Sequence, residues 1–375
     1  MVAATLSLAS LSLMISGLAD FTDDTTAFII WSTFARVLFG IFAFPLHVAC
    51  LEIIQIVFPD RFDFMNGLMQ MGYFSGQGVG QAVGAALYER FGYKVPFIYG
   101  SSGLIFATIL TCLFIPPCPS LAAKSPGKKR NQSGPEGSVD EVDEGSALSY
   151  LVFLPVCACV IVNCGYAYLQ IATTPYLLEE FSIPLSVGGT VLATVSAGVA
   201  IGSSLSGAII QSKIINVYTQ MASGAVLVGV GLLVMFPSPS ISFVYNNIPF
   251  IAYPAGFLTG VGDPIITVAT LRAMIDIQTK LMGACEGQTY LNLFSIWLIS
   301  HGGAAYFGTF AGGILLQMLS YQNGTKLLVS LCGISVAICL VTKALVDKRT
   351  SLETQRLTGV QGKMYDGIDT TEHGQ

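Results

Sequence analysis

The sequence predicts an all-α protein that crosses a membrane about ten times, four crossings in a first bundle and six in a second. Three observations carry this. Of 375 residues, 53% are hydrophobic and only 10% charged, with a mean hydropathy of +0.68, whereas a soluble domain carries about 25% charge. The apolar residues gather into ten stretches, each long enough for the roughly 20 residues a hydrocarbon core requires of a helix. Finally, a glycine ladder, Gly72, Gly76, Gly80 and Gly84, is followed by Leu87-Tyr88 and Gly92-Tyr93, and returns 228 positions later as Gly308, Gly312, Gly313, Leu315 and Tyr321. Small residues at four-residue spacing let helix backbones approach closely in a bilayer, so these glycines are assigned to packing between helices. Their repetition points to two homologous halves.

In chain order the predicted spans are 1–19, 27–57, 65–88, 94–116, 148–171, 185–210, 217–237, 248–271, 288–317 and 326–346. The first has no basic segment after Met1 and reads as a span rather than a cleavable signal. The second and ninth exceed the thickness of a bilayer and must tilt or project beyond it. The third and ninth carry the two ladders, and one more apolar stretch follows each. Between the fourth and fifth, residues 120–147 hold Lys124, Lys128, Lys129 and Arg130, then Asp140, Glu141, Asp143 and Glu144. That composition reads as a disordered linker. The expected organisation is therefore a partial bundle at 1–119, the linker at 120–147, a six-helix bundle at 148–346 and a tail at 347–375. Carrying the repeat offset back from the second bundle places roughly 80 residues, two helices' worth, ahead of Met1. The first bundle is thus expected to correspond to helices three to six of a six-plus-six arrangement.

With the linker and tail in the cytosol, thirteen Lys and Arg residues fall on the cytosolic side and three (Arg90, Lys94, Lys326) opposite. This is the asymmetry that orients membrane proteins, and it puts both termini in the cytosol. Asn131-Gln132-Ser133 then lies away from the glycosylation machinery, and Asn323-Gly324-Thr325 sits in a short outer loop. The nine cysteines lie mostly within spans, Cys157-x-Cys159 among them, which argues for packing and against a disulfide framework or metal site. No cofactor is expected. Nothing resembles a phosphate loop, a hydrolase triad or a nucleic-acid surface, so neither an enzyme nor a nucleic-acid binder is expected.

Several motifs resemble the major facilitator superfamily. Arg36-Val37-Leu38-Phe39-Gly40 looks like its fourth-helix Arg-x-x-(Gln/Glu)-Gly motif, and Gly76-x-x-x-Gly80-Gln81-x-x-Gly84-Ala85 resembles its fifth-helix antiporter motif. Phe58-Pro59-Asp60, the run from Leu87 to Phe97, Tyr176-Leu177-Leu178-Glu179-Glu180-Phe181 and Gly260-Val261-Gly262-Asp263 are similar to the vesicular amine transporter family, nearest its polyamine branch. The resemblance runs from about Phe28 to Lys343. It implies the major facilitator fold, with a cavity lined by helices one, four, seven and ten, in an intracellular vesicle or the plasma membrane. Departures are visible. Gln81 replaces the antiporter-motif proline, Ala85 its last glycine and Phe39 the polar fourth-helix partner. Gln170 stands where the polyamine branch has an acid, and Gly207-x-x-x-Gln211-Ser212-Lys213 lacks the aspartate of the corresponding loop motif.

A charge at the centre of a bilayer costs about 2.5–3.5 kcal/mol on insertion scales. Arg36 and Asp263 incur this cost, lying roughly 12 Å and 22 Å into their spans from the outer side. Burial makes the carboxylate of Asp263 costly unless a proton or a cation neutralises it, and that competition is the chemistry of a cation-for-proton exchanger. The alternative is a carboxylate serving the kink at Pro264. For Arg36 the resemblance implies a coupling role, against a structural ion pair or a snorkelling cation. Asn163, Tyr166, Tyr168 and Gln170 fall near the cavity face of the seventh helix, where aromatic faces suit ammonium ions; interhelical hydrogen bonding is the alternative. Glu52 is read as snorkelling, and His47 and His301 as packed histidines or proton relays. Tyr365-Asp366-Gly367-Ile368 matches the pattern that clathrin adaptors take up as an added strand.

The leading functional expectation is a transporter of small organic cations, amine or polyamine, coupled to protons by alternating access. The alternatives are a proton-independent facilitator of another polar solute, favoured by Gln81, Phe39 and Gln170, and a non-transporting chain that associates with a full-length relative.

Overall fold

The computed structural model describes residues 2–114, 150–237, 248–282 and 287–366, and the side chains of these except at 185, 249, 282, 287, 288 and 352–366. The expected linker at 120–147 lies outside the described residues, as does Gly367 onward in the Tyr365–Ile368 segment.

Ten long α-helices account for most of the described residues, which include no strand. They are α1 (Val2–Gly17), α2 (Thr25–Val57), α3 (Phe62–Phe91), α4 (Lys94–Phe114), α5 (Phe153–Phe181), α6 (Leu185–Ser212), α7 (Val217–Met235), α8 (Ile248–Met282), α9 (Gly287–Met318) and α10 (Tyr321–Asp366). Eight helical segments among the described residues are long and apolar enough to cross a membrane. The other two long helices, α3 and α9, span 30 and 32 residues, so both have the length for a crossing. In α3, Asn66, Gln70, Gln77 and Gln81 alternate with glycines and dilute its apolarity.

Local chemistry places several of the breaks. The carboxylate of Asp24 accepts the backbone N–H groups of Thr26 and Ala27, both at 3.2 Å, and so caps α2. Gly92, with φ +80°, ends α3 in the left-handed conformation that favours glycine. Pro184 opens α6, and the side chain of Asn216 caps α7 by accepting Tyr218 N–H at 3.0 Å.

Several helices outrun the apolar stretches that announce them. The fifth, eighth and last spans are expected to end at 171, 271 and 346, but the helices continue to Phe181, Met282 and Asp366. Apolarity marks where lipid ends, while backbone hydrogen bonding continues through polar turns beyond it. Residues 347–366, expected as tail, are part of α10.

The chain divides into two compact units. The first comprises Met1–Cys50 and Leu87–Ala147, the second Leu51–Ala86 and Leu148–Gln375. In the first, α1 packs along α4. Ser10 Oγ donates to Ser101 O at 2.9 Å, and a methyl on Gly17 would sit 3.1 Å from Phe97 Cβ. Lys94 pairs with Asp20 at 3.3 Å and lies over the Phe21 ring.

In the second unit α8 is the central rod, mostly buried along its apolar stretch, whereas that of α10 is mostly exposed. It packs chiefly against α6 and α7, and glycines make both contacts close. A methyl on Gly198 would fall 2.4 Å from Phe257 O, one on Gly260 2.1 Å from Val195 O, and one on Gly224 2.7 Å from Gly262 O. None of these positions has room for a side chain.

The two glycine ladders behave differently. Gly308 and Gly312 of α9 press on α5, where a methyl would meet Cys164 Cα at 2.7 Å and Ile171 Cδ1 at 2.9 Å. At Gly72, Gly76, Gly80, Gly84 and Gly313, no atom of the described residues lies within 4 Å of such a methyl. The close approach of α3 falls on another face, through Gly67 against Ser203 O (2.6 Å) and Gly78 against Ser196 Cβ (2.9 Å). The glycines of α3 offer more than one smooth stripe, and the partner α6 selects which is used.

Candidate functional site

Asp263 lies midway along α8, just before Pro264, with no solvent exposure, and neither carboxylate oxygen has a hydrogen-bond partner among the described residues. Such a group is rare, because a buried carboxylate without donors bears its full desolvation cost. The backbones of α6 and α7 close in around the neighbouring residues through Gly202 against Val261 and Gly224 against Gly262. Helix α5 packs along α8 here, and Cys159 Sγ lies 3.8 Å from Thr267 Oγ1, one turn from Asp263.

A polar seam runs along this contact between α5 and α8. Asn163, 2% exposed, donates from Nδ2 to Cys159 O at 2.9 Å and to Thr267 Oγ1 at 3.3 Å. Thr267 is one turn beyond Asp263, and its carbonyl accepts Trp297 Nε1–H of α9 at 3.0 Å. Tyr166 is buried, and its hydroxyl has no hydrogen-bond partner among the described residues; Gln170 follows one turn further along α5. The structure thus brings Asp263, Asn163, Tyr166 and Gln170 into one neighbourhood. Thr267, Cys159 and Trp297 belong there too, though neither their polarity nor their spacing singles them out in an apolar helix. Replacing Trp297 with Phe removes one donor while keeping an aromatic ring, and is expected to lower stability by about 1 kcal/mol, read as the melting midpoint in detergent.

The remaining candidates lie elsewhere. Tyr168 packs in an aromatic cluster with Phe236 and donates to Tyr321 O at 3.2 Å. Arg36 belongs to the first unit, where its guanidinium lies 5.9 Å from the Phe97 ring centroid. His301 stacks on Trp297 with ring centroids 6.0 Å apart, His47 is half-buried, and Glu52 is exposed.

A second polar cluster was not anticipated from the sequence. Asp63, at the start of α3 and 9% exposed, pairs with Arg272 Nη1 of α8 at 3.4 Å. The Arg272 Nε–H donates to Asp276 Oδ1 at 2.9 Å. Nearby, Gln211 Nε2 donates to Asp60 O at 2.9 Å, and Phe62 stacks on Phe294 with centroids 5.6 Å apart. Asp60, Asp63, Gln211, Arg272 and Asp276 border a cavity of about 350 Å³ lined also by Lys213, Asn216 and Lys280. The spacing Arg272-x-x-x-Asp276 is visible in the sequence as a helical ion pair, but nothing in it announces Asp63, 209 residues away. Arg272→Ala is expected to lower stability by about 1–2 kcal/mol, a value reduced by the partial exposure of the arginine. The Asp63→Ala, Arg272→Ala pair should cost less than the two single changes together, as thermal melts of the four proteins would show.

The family model described as the Major Facilitator Superfamily matches residues 1–285. No curated protein matches the chain significantly. An all-helical multi-pass architecture, glycine-mediated helix contacts and a match over more than half the sequence agree: the chain belongs to the Major Facilitator Superfamily, a family of membrane transporters.

Proposed function

We propose that the protein carries small organic cations, amine or polyamine, across a membrane in exchange for protons by alternating access. The observation that carries this reading is Asp263, an acid on the most buried helix whose two oxygens meet no donor among the described residues. A proton and a cationic cargo are the two species able to neutralise such a group, and they exclude one another there. Tyr166 adds an aromatic face suited to an ammonium ion, and Asn163 and Gln170 add amides that orient it. In this reading Arg36 takes part in the coupling, both termini face the cytosol, and the membrane is that of an intracellular vesicle or the cell surface.

A second reading, a facilitator that needs no protons, is favoured by Gln81, which occupies the antiporter-motif proline position and accepts a hydrogen bond from Ser196 Oγ at 2.9 Å. Reconstitution separates the two. Uptake of a labelled amine into proteoliposomes should require an imposed pH gradient and stop when an ionophore collapses it. Equal uptake with and without the gradient would favour the facilitator.

A further inference from the structure

Among the described residues, two acids are less than a tenth exposed, Asp63 and Asp263. Asp63 is committed to Arg272, at 3.4 Å. Asp263 therefore stands as the one deeply buried acid without a counter-charge among the described residues. The groups that face it are uncharged at neutral pH. From α5, Cys159 and Asn163 both meet Thr267, one turn along α8 from Asp263, and Tyr166 follows one turn further along α5. From α6 and α7 the neighbouring residues meet glycine backbone and aliphatic groups, Gly202 and Gly224 among them. No lysine, arginine or histidine described in the second unit forms an ion pair with it.

We propose that exchange at this site is one-for-one and electroneutral: a single carboxylate releases one proton as it takes up one monovalent cation. The proposal rests on the proton-exchange reading above and deepens it by fixing the charge of the cargo. The balance is simple. In one loaded state the carboxyl holds a proton; in the other the carboxylate holds the cation, and the site is neutral in both. One positive charge crosses in each direction per cycle, so no net charge moves across the bilayer. A cargo bearing two charges would leave one of them unbalanced in a desolvated site, which is costly. Cargo chemistry is thereby narrowed to organic monocations, and polyamines are disfavoured.

The test uses the full chain in proteoliposomes, with tetraethylammonium as a permanent monocation and decamethonium as a permanent dication. Under a pH gradient with the membrane potential clamped at zero, tetraethylammonium should enter, and a trapped pH dye should report one proton per cation. Imposing a potassium diffusion potential of either sign should change the initial rate less than twofold. A rate that shifts severalfold with potential, or a ratio of two protons per cation, would overturn the one-for-one assignment while leaving proton exchange intact. Decamethonium entering at a rate within twofold of tetraethylammonium would overturn the single-charge limit. Absence of gradient-driven uptake of both probes would instead remove proton exchange itself, and this inference with it.

Discussion

Asp263→Asn is expected to reduce pH-gradient-driven uptake of an organic cation to the level of protein-free vesicles while leaving the protein folded. The substitution keeps the shape of the side chain and removes its ability to ionise. Among the described residues neither oxygen of Asp263 makes a hydrogen bond that the amide would break, so the fold loses nothing that holds it together. Stability should hold within about 1 kcal/mol of the native protein or rise, because a buried ionisable group is rarely a net asset to stability. Function should not survive, since an amide neither releases a proton at accessible pH nor neutralises an ammonium ion. Both halves of the expectation are measurable, by melting in detergent and by tracer uptake. Undiminished gradient-driven uptake in a well-folded Asp263→Asn protein would remove this carboxylate from the coupling chemistry.

The largest expected effect on stability comes from Gly260→Ala. A methyl there would lie 2.1 Å from Val195 O and 3.0 Å from Val195 C, well inside any van der Waals contact. The obstacle is helix backbone, which cannot rotate aside as a side chain would. To admit the methyl, α8 and α6 must separate, and both also meet at Gly198 and Gly202. Overpacking of this kind costs about 3 kcal/mol or more, and the better helix propensity of alanine, about 1 kcal/mol, does not offset it. Gly76→Ala is the matched control. No atom of the described residues lies within 4 Å of its methyl, so only the propensity gain remains and the melting midpoint should hold or rise. A Gly260→Ala protein that melts with the native one would show that α6 and α8 do not meet as described.

How much of this was legible in the sequence follows the range over which each interaction acts. The helices were evident because twenty-odd apolar residues in a row have few other uses, yet their ends were not, since hydrogen bonding in α5, α8 and α10 outlasts the apolar run. Asp263 stood out as a charge in an apolar helix, and Asn163, Tyr166 and Gln170 followed from their places on one side of α5. Partners brought by folding stayed hidden: Thr267 to Asn163 across 104 residues, and Arg272 to Asp63 across 209. The glycine rhythm of α3 was legible as a smooth helix, but its contacting face was not. Gly67 and Gly78 meet α6 because of where α6 stands, which no spacing within α3 encodes.

The 46-residue α10 has a mechanical consequence. At roughly 1.5 Å per residue it reaches about 69 Å, more than twice the hydrocarbon thickness of a bilayer. Its apolar part is anchored along α5 and α7, so the outlying turns amplify any tilt of that anchorage, as the tip of a mast magnifies the roll of a hull. A fluorophore attached near Asp366 would swing through a wider arc than one placed at Tyr321, which makes the far end of this helix the natural position from which to watch the protein change shape.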